Sequence, residues 1–102
     1  MAAGTHSELS EKIAKQIVQI VKESVRIDVE ILQFLKEDFD EIKRLAKKEG
    51  LSPAGLVLAI LDGIRRGLVE GGVESYQMIR SILQRSEKEL ESLEEKWRKR
   101  HE

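Results

Sequence analysis

Five small residues recur at four-residue spacing in the middle of the chain, and this pattern constrains the fold most. They are Gly55, Ala59, Gly63, Gly67 and Gly71. Residues four apart lie on the same side of an α-helix, so the five form a strip of nearly bare backbone. Such a strip lets a second helix backbone approach closely. We therefore expect a close helix–helix contact along this segment.

The composition favours one small domain built from long, solvated helices. The chain has 102 residues, of which 36% are charged and 4% are aromatic, a balance typical of extended helical proteins. The formal net charge of −1 disfavours a globally basic nucleic-acid binder. Because cysteine is absent, disulfides, thiolate zinc sites and cysteine nucleophiles are excluded.

The sequence shows no targeting or membrane-spanning pattern. Residues 1–6 lack the basic-then-apolar order of a secretion signal, and we expect them to form a flexible terminus. No apolar run approaches the ~20 residues that a membrane span needs. We therefore expect a cytoplasmic protein.

A long segment without helix-breaking residues precedes the glycine strip. Between Gly4 and Gly50 there is neither glycine nor proline, and apolar residues recur at helical spacing. This pattern predicts a single helix of about 40 residues over 7–49. A heptad stripe predicts a coiled-coil seam along it, formed by Ile13, Ile20, Ile27 and Phe34. Beyond it the apolar register shifts to Leu35, Phe39, Ile42 and Ala46.

Two further helices follow a clear boundary. Gly50 ends the first helix, Ser52 is placed to cap the next, and Pro53 suits its first turn. The second helix is predicted over 53–70, and its apolar character on nearly every side predicts that it is the most buried. After the Gly71-Gly72 break, a third helix over 73–100 carries another heptad, formed by Tyr76, Leu83, Leu90 and Trp97.

These elements predict an all-α, coiled-coil-like fold of three helices in a single domain over 7–102. The simplest arrangement is an elongated hairpin in which the second helix runs antiparallel along the first. That arrangement leaves apolar surface uncovered, and a homodimer would bury it in a four-helix core. The predicted interface comprises Ile13, Ile20, Ile27, Phe34, Gly55, Ala59, Gly63, Gly67, Leu83, Leu90 and Trp97.

No catalytic, cofactor-binding or metal-binding residue is predicted. His6 and His101 lie at the chain ends, where solvated side chains are the rule. The acidic cluster from Asp38 to Glu41 lacks the accompanying Glu-x-x-His of helical di-metal sites. Neither the phosphate-loop pattern nor the dinucleotide fingerprint occurs. The sequence therefore favours a non-enzymatic protein.

The carboxyl end is locally basic around Trp97. Lys96, Arg98, Lys99 and Arg100 surround this tryptophan. Cations in the last turns complement the helix dipole, which is the favoured interpretation. Contact with an anionic membrane surface or nucleic acid is the alternative.

A stretch of about 40 residues resembles ribbon-helix-helix repressors and antitoxins. The segment from Leu45 to Ser52, followed by apolar residues from Leu56 to Ile64, is similar to their two helices. The segment Val25-Arg26-Ile27-Asp28 resembles their β-ribbon, and a ribbon over residues 31–35 fits the family's spacing instead. The resemblance implies a DNA-binding dimer, with Arg26 and Asp28, or Gln33 in the second register, facing the major groove.

Two functions follow as expectations. The favoured one is a non-enzymatic assembly, scaffold or adaptor module that self-associates through the heptad and glycine-lined faces. A second copy is the expected partner, and another protein is an alternative. A DNA-binding regulator is the alternative function, with nucleic acid the less favoured partner.

Overall fold

The computed structural model describes residues 7–101 and forms them into four α-helices. These are α1 (Glu8–Glu23), α2 (Ile27–Lys48), α3 (Pro53–Glu70) and α4 (Tyr76–Arg100). Within the described residues no strand occurs, so the all-α prediction is confirmed. Residues 1–6, predicted to form a flexible terminus, lie outside the described part.

The single helix predicted over 7–49 is wrong, because the chain leaves helical geometry after Glu23. Ser24 is extended, with φ −108° and ψ 143°, and its hydroxyl accepts a hydrogen bond from the Arg26 backbone N–H at 3.2 Å. Opposite charges flank the break, since Lys22 lies in the last turn of α1 and Asp28 in the first turn of α2. Both positions suit the helix dipoles. The described chain therefore has four helices rather than three.

The turn between α2 and α3 lies where the sequence indicates it. Gly50 takes a φ of +76°, which only glycine adopts at little cost. The Leu51 N–H then bonds to the Ala46 carbonyl at 2.9 Å, as in a Schellman motif. The Ser52 hydroxyl accepts the backbone N–H three residues later at 3.0 Å, with Pro53 at the first helical position. These contacts fix the start of α3.

A second glycine turn separates α3 from α4. Gly72 has a φ of +104°, and the Val73 N–H bonds to the Leu68 carbonyl at 2.9 Å. The chain stays irregular until Ser75, whose hydroxyl caps the next helix. The third predicted helix therefore begins at Tyr76 rather than at residue 73.

The helices form two hairpins that lie side by side. The start of α1 meets the end of α2, where the Leu9 N–H donates to the Glu49 carboxylate at 2.7 Å. Helix α1 packs mainly against α3, with Gly63 beside Ile13 and Gly71 beside Val21. Residue numbers rise together in these two pairs, so α1 and α3 are parallel. The predicted antiparallel pairing along one long rod is therefore wrong.

One apolar core lies between the four helices. The longest dimension of the described chain is 40 Å and the shortest 21 Å, close to two helix diameters of ~10 Å. A rod of 40 residues would instead span ~60 Å, so the predicted elongated shape is wrong. The fully buried apolar side chains of the core include Leu9, Ile13, Ile17, Ile31, Leu35, Ile60, Ile64, Leu68 and Leu90.

Candidate functional site

The close contact expected at the glycine strip occurs within one chain, between α3 and α1. A Cβ on Gly63 would lie 2.7 Å from both the Ile13 Cβ and the Ser10 carbonyl oxygen. A Cβ on Gly67 would lie 2.5 Å from the Ile17 Cβ. These distances are well below the ~3.5–4.0 Å of ordinary carbon contacts. The two glycines are therefore required by the approach of the α1 backbone.

The rest of the strip has different surroundings. A Cβ on Gly55 would meet mainly the Ser52 hydroxyl, at 3.2 Å, so this residue belongs to the helix cap. Ala59 is half-buried against the core. A Cβ on Gly71 would lie 2.9 Å from the Val21 Cβ. The tight part of the strip therefore runs from Gly63 to Gly71.

All heptad residues except Tyr76, which is exposed, lie in or against the same core. Ile13 and Leu90 are buried in it. The half-buried members that pack against it are Ile20, Ile27, Phe34, Leu83 and Trp97. The structure thus brings these side chains together within one chain, and self-association through them stays a prediction.

A polar network joins α1 to α3 beside the glycine contact. The buried Ser10 hydroxyl donates to Asp62 at 2.7 Å and accepts from Arg66 at 3.2 Å. The Arg65 guanidinium donates to the other Asp62 oxygen at 3.1 Å. Burial raises the pKa of Asp62, but hydrogen bonds from Ser10 and Arg65 and the nearby arginine charges outweigh it and lower the pKa. Asp62 is therefore held as a carboxylate.

The carboxyl end of α4 packs against α2 through Trp97. The Lys43 ammonium lies 4.4 Å from the Trp97 ring centroid and 2.7 Å from the Glu94 carboxylate, a cation–π geometry. His101 stacks on the same ring, with 3.8 Å between ring centroids. The basic residue Arg100 pairs with Asp40 at 3.1 Å. These contacts give Trp97, Arg100 and His101 roles in packing within the chain, and contact of the basic end with an anionic surface stays a prediction.

A shallow groove of about 600 Å³ lies beside Trp97. It runs between the end of α4 and the start of α3, where Ser52 and Pro53 line it.

Over residues 7–101, no group of three or more histidine or acidic side chains is placed to hold a metal ion. In the same range, no helix has the length and apolar character needed to cross a membrane.

The segment that resembles a β-ribbon forms no strand, because Val25 and Arg26 lie in the loop between α1 and α2 and the residues from Ile27 onward are helical. Helix α2 begins at Ile27, so neither ribbon register forms a strand. Asp28 pairs with Arg85 of α4 at 2.7 Å, and Gln33 donates to Glu37 one turn later at 2.8 Å. The ribbon-helix-helix fold is therefore not present in the described residues.

Helix α3 exposes apolar side chains on the side away from α1. Leu58 is 67% exposed and Val69 is 54% exposed. Arg65 lies between them on the same side of the helix, and Asp62 lies at the edge of that side, because one of its oxygens pairs with Arg65 and the other accepts from Ser10 of α1. We call these four residues the α3 outer face. Helix α3 therefore leaves this face exposed although its sequence is apolar on nearly every side, and sequence reasoning missed the face.

A second set of exposed apolar residues lies at the end of the molecule that carries both hairpin loops. Val25 is 98% exposed in the first loop, and Tyr76 is exposed beside the second. Both loops lie at one end because Val21 and Gly71, just before them, are in contact.

Comparison of the chain with models of known protein families gives no match, and comparisons with curated proteins and with solved structures give none either.

Proposed function

We propose that this protein is a non-enzymatic assembly or adaptor module whose partner is a second copy of itself. The exposure of Leu58 on the α3 outer face carries the proposal. The opposite face of the same helix packs closely against α1 at Gly63 and Gly67. Helix α3 therefore has apolar side chains directed both into the core and into solvent, and the second set is free to contact another protein.

Burial of these side chains supplies a driving force for association. Covering a leucine or valine stabilises a complex by about 1.5–3 kcal/mol when burial is complete. Leu58 and Val69 are already partly covered, so the gain per residue is smaller. In a symmetric dimer each residue contributes twice, because the same patch is used by both copies.

The polar groups of the described chain support a non-enzymatic role. The buried Ser10 hydroxyl already makes hydrogen bonds to Asp62 and Arg66. His101 is exposed and stacked on Trp97. Ser10 is buried away from any substrate, and the ring of His101 packs against Trp97 rather than against a serine hydroxyl, so neither group is arranged as a nucleophile with a histidine base.

Sedimentation equilibrium tests the proposal directly. The purified chain should be studied from about 10 μM to about 1 mM, which covers weak dimers. The apparent mass should rise from 11.7 kDa towards twice that value with concentration. A mass that stays at the monomer value throughout would contradict self-association. Another protein bound to the same face is the alternative occupant.

A further inference from the structure

The α3 outer face has an internal symmetry in its chemistry. In sequence order it reads apolar, acidic, basic, apolar, as Leu58, Asp62, Arg65 and Val69. The intervals of four, three and four residues keep all four on one side of a helix. The pairs 58/69 and 62/65 have a common centre, between residues 63 and 64. The face is therefore complementary to a copy of itself turned end to end.

We infer that two copies pair through their α3 outer faces in antiparallel register. In this register Arg65 of each copy lies opposite Asp62 of the other, and Leu58 lies opposite Val69. A two-fold axis generates both contacts twice, as an isologous interface requires. The inference rests on the proposed self-association and identifies the surface and orientation that it uses.

Arg65 has the geometry to reach across. Within its own chain it pairs with Asp62 through one guanidinium nitrogen at 3.1 Å, and its side chain is 55% exposed. A guanidinium carries five N–H donors, so donors remain for a second carboxylate. The Asp62 Oδ2 oxygen is already taken by Ser10 and lies 3.7 Å from Arg66, but Oδ1 accepts a single hydrogen bond, from Arg65, and keeps a second lone pair on a side chain that is 33% exposed. The intramolecular pair and the cross-pair can therefore form together.

The parallel alternative is disfavoured by charge. Parallel, in-register α3 helices would place Arg65 opposite Arg65 and Asp62 opposite Asp62. Like charges facing each other at an interface are strongly unfavourable. The same four residues that attract in the antiparallel register therefore repel in the parallel one, which fixes the orientation.

The size of the face sets the expected strength. From Leu58 to Val69 the helix rises about 17 Å at ~1.5 Å per residue. A contact of this length buries less than the roughly 800 Å² per partner of standard stable interfaces. The dimer should therefore be transient and strongly dependent on concentration.

Charge reversal at Arg65 tests the register. Arg65→Glu places two acidic groups opposite each other at both cross-pairs, so the dimer dissociation constant should rise at least about tenfold. Arg44→Glu is the matched control, because Arg44 also pairs with an acidic residue three positions earlier and its side chain is 61% exposed. That control should dimerise like the wild type.

A mixing experiment separates register from general charge effects. Asp62→Arg and Arg65→Glu should each be impaired alone, but the introduced arginine faces the introduced glutamate when the two are mixed. Sedimentation of the mixture should recover at least wild-type association. Failure of two folded variants to associate when mixed would overturn the antiparallel register.

Leu58→Gln provides an independent test if Asp62→Arg does not fold. Asp62→Arg is at risk because Asp62 also accepts a hydrogen bond from the buried Ser10 hydroxyl. Leu58→Gln should keep wild-type helicity and lose association, whereas Val25→Gln at the loop end should keep both. The assignment of the interface to α3 would be overturned if only Val25→Gln lost association, or if Leu58→Gln and Arg65→Glu both kept it. Either result would leave self-association itself intact. A wild-type chain that is monomeric at about 1 mM, a concentration typical of weak complexes, would overturn both.

Discussion

Gly67→Ala should destabilise the protein, because its added methyl group has no space between α3 and α1. The new Cβ would lie 2.5 Å from the Ile17 Cβ and 2.7 Å from the Ala14 carbonyl oxygen. Both are rigid groups, since one is a β-branched carbon and the other belongs to the backbone. To restore an ordinary contact of ~3.5–4.0 Å, the two helices must separate locally by about 1 Å.

Two opposing terms set the magnitude. Overpacking a well-packed core costs about 1–3 kcal/mol, and the rigid neighbours place this site at about 2–3 kcal/mol. Alanine in a helix interior is favoured over glycine by about 1 kcal/mol. The net loss in the free energy of unfolding should therefore be about 1–2 kcal/mol, which lowers the melting temperature by about 5–15 °C for a domain of this size.

Urea unfolding followed by far-ultraviolet circular dichroism measures this loss. Gly55→Ala is the matched control, because the atom nearest its added methyl is the end of the Ser52 side chain, at 3.2 Å. It should be more stable than Gly67→Ala, because the nearest neighbour of its methyl is the rotatable Ser52 hydroxyl of the helix cap rather than a rigid β-branched carbon. If Gly67→Ala matches Gly55→Ala in stability, the close approach of α1 and α3 is refuted.

Three further substitutions test other contacts. Ser10→Ala removes a buried hydroxyl that bonds to Asp62 and Arg66, and urea unfolding should show a loss of about 1–2 kcal/mol. The pKa of Asp62 is lowered in the folded chain, so the unfolded chain takes up a proton first as the pH falls. The stabilisation that the Asp62 carboxylate provides is therefore present above about pH 4 and is lost as the pH falls through the lower pKa of the folded state. The stability difference between wild type and Asp62→Asn should therefore be larger at about pH 7 than at about pH 3, and an equal difference would contradict this role. Ser86 is fully buried, and within the described residues its hydroxyl has no hydrogen-bond partner. Ser86→Ala should therefore raise the free energy of unfolding by about 1 kcal/mol. A loss of stability would show that the hydroxyl has a hydrogen-bond partner.

The start of α3 could be predicted from sequence because the signals there are local. Gly50 supplies a positive φ, Ser52 a capping hydroxyl and Pro53 a fixed φ, and each acts within a few residues. The close contact at Gly63 and Gly67 could also be predicted, since missing side chains allow a close approach whichever helix provides it. The identity of that helix could not, because spacing on one helix does not specify its partner.

The break at Ser24 could not be predicted from breaker residues, because it uses neither glycine nor proline. Ser24 ends α1 in an extended conformation that any residue adopts. The apolar residues Ile20 and Ile27 continue a seven-residue spacing across the break, so periodicity alone favoured one helix. The oppositely charged Lys22 and Asp28 were the available signal, since they suit a helix end and a helix start respectively.

The α3 outer face was missed for a related reason. Helix α3 is apolar on nearly every side, so its pattern does not show which side stays exposed. That side is defined only once α1 occupies the glycine face. Leu58 and Val69 then remain, eleven residues apart, on the opposite side of the helix.

The distance between residues 8 and 48 tests the fold most directly. Glu8 and Lys48 adjoin Leu9 and Glu49, which are joined by a hydrogen bond of 2.7 Å. Because the chain has no cysteine, Glu8→Cys/Lys48→Cys can be spin-labelled at these two positions alone, and dilution with unlabelled protein removes any signal between copies. Pulsed electron paramagnetic resonance should give a separation below about 30 Å, whereas about 60 Å, the length of an unbroken 40-residue helix, would contradict the four-helix account.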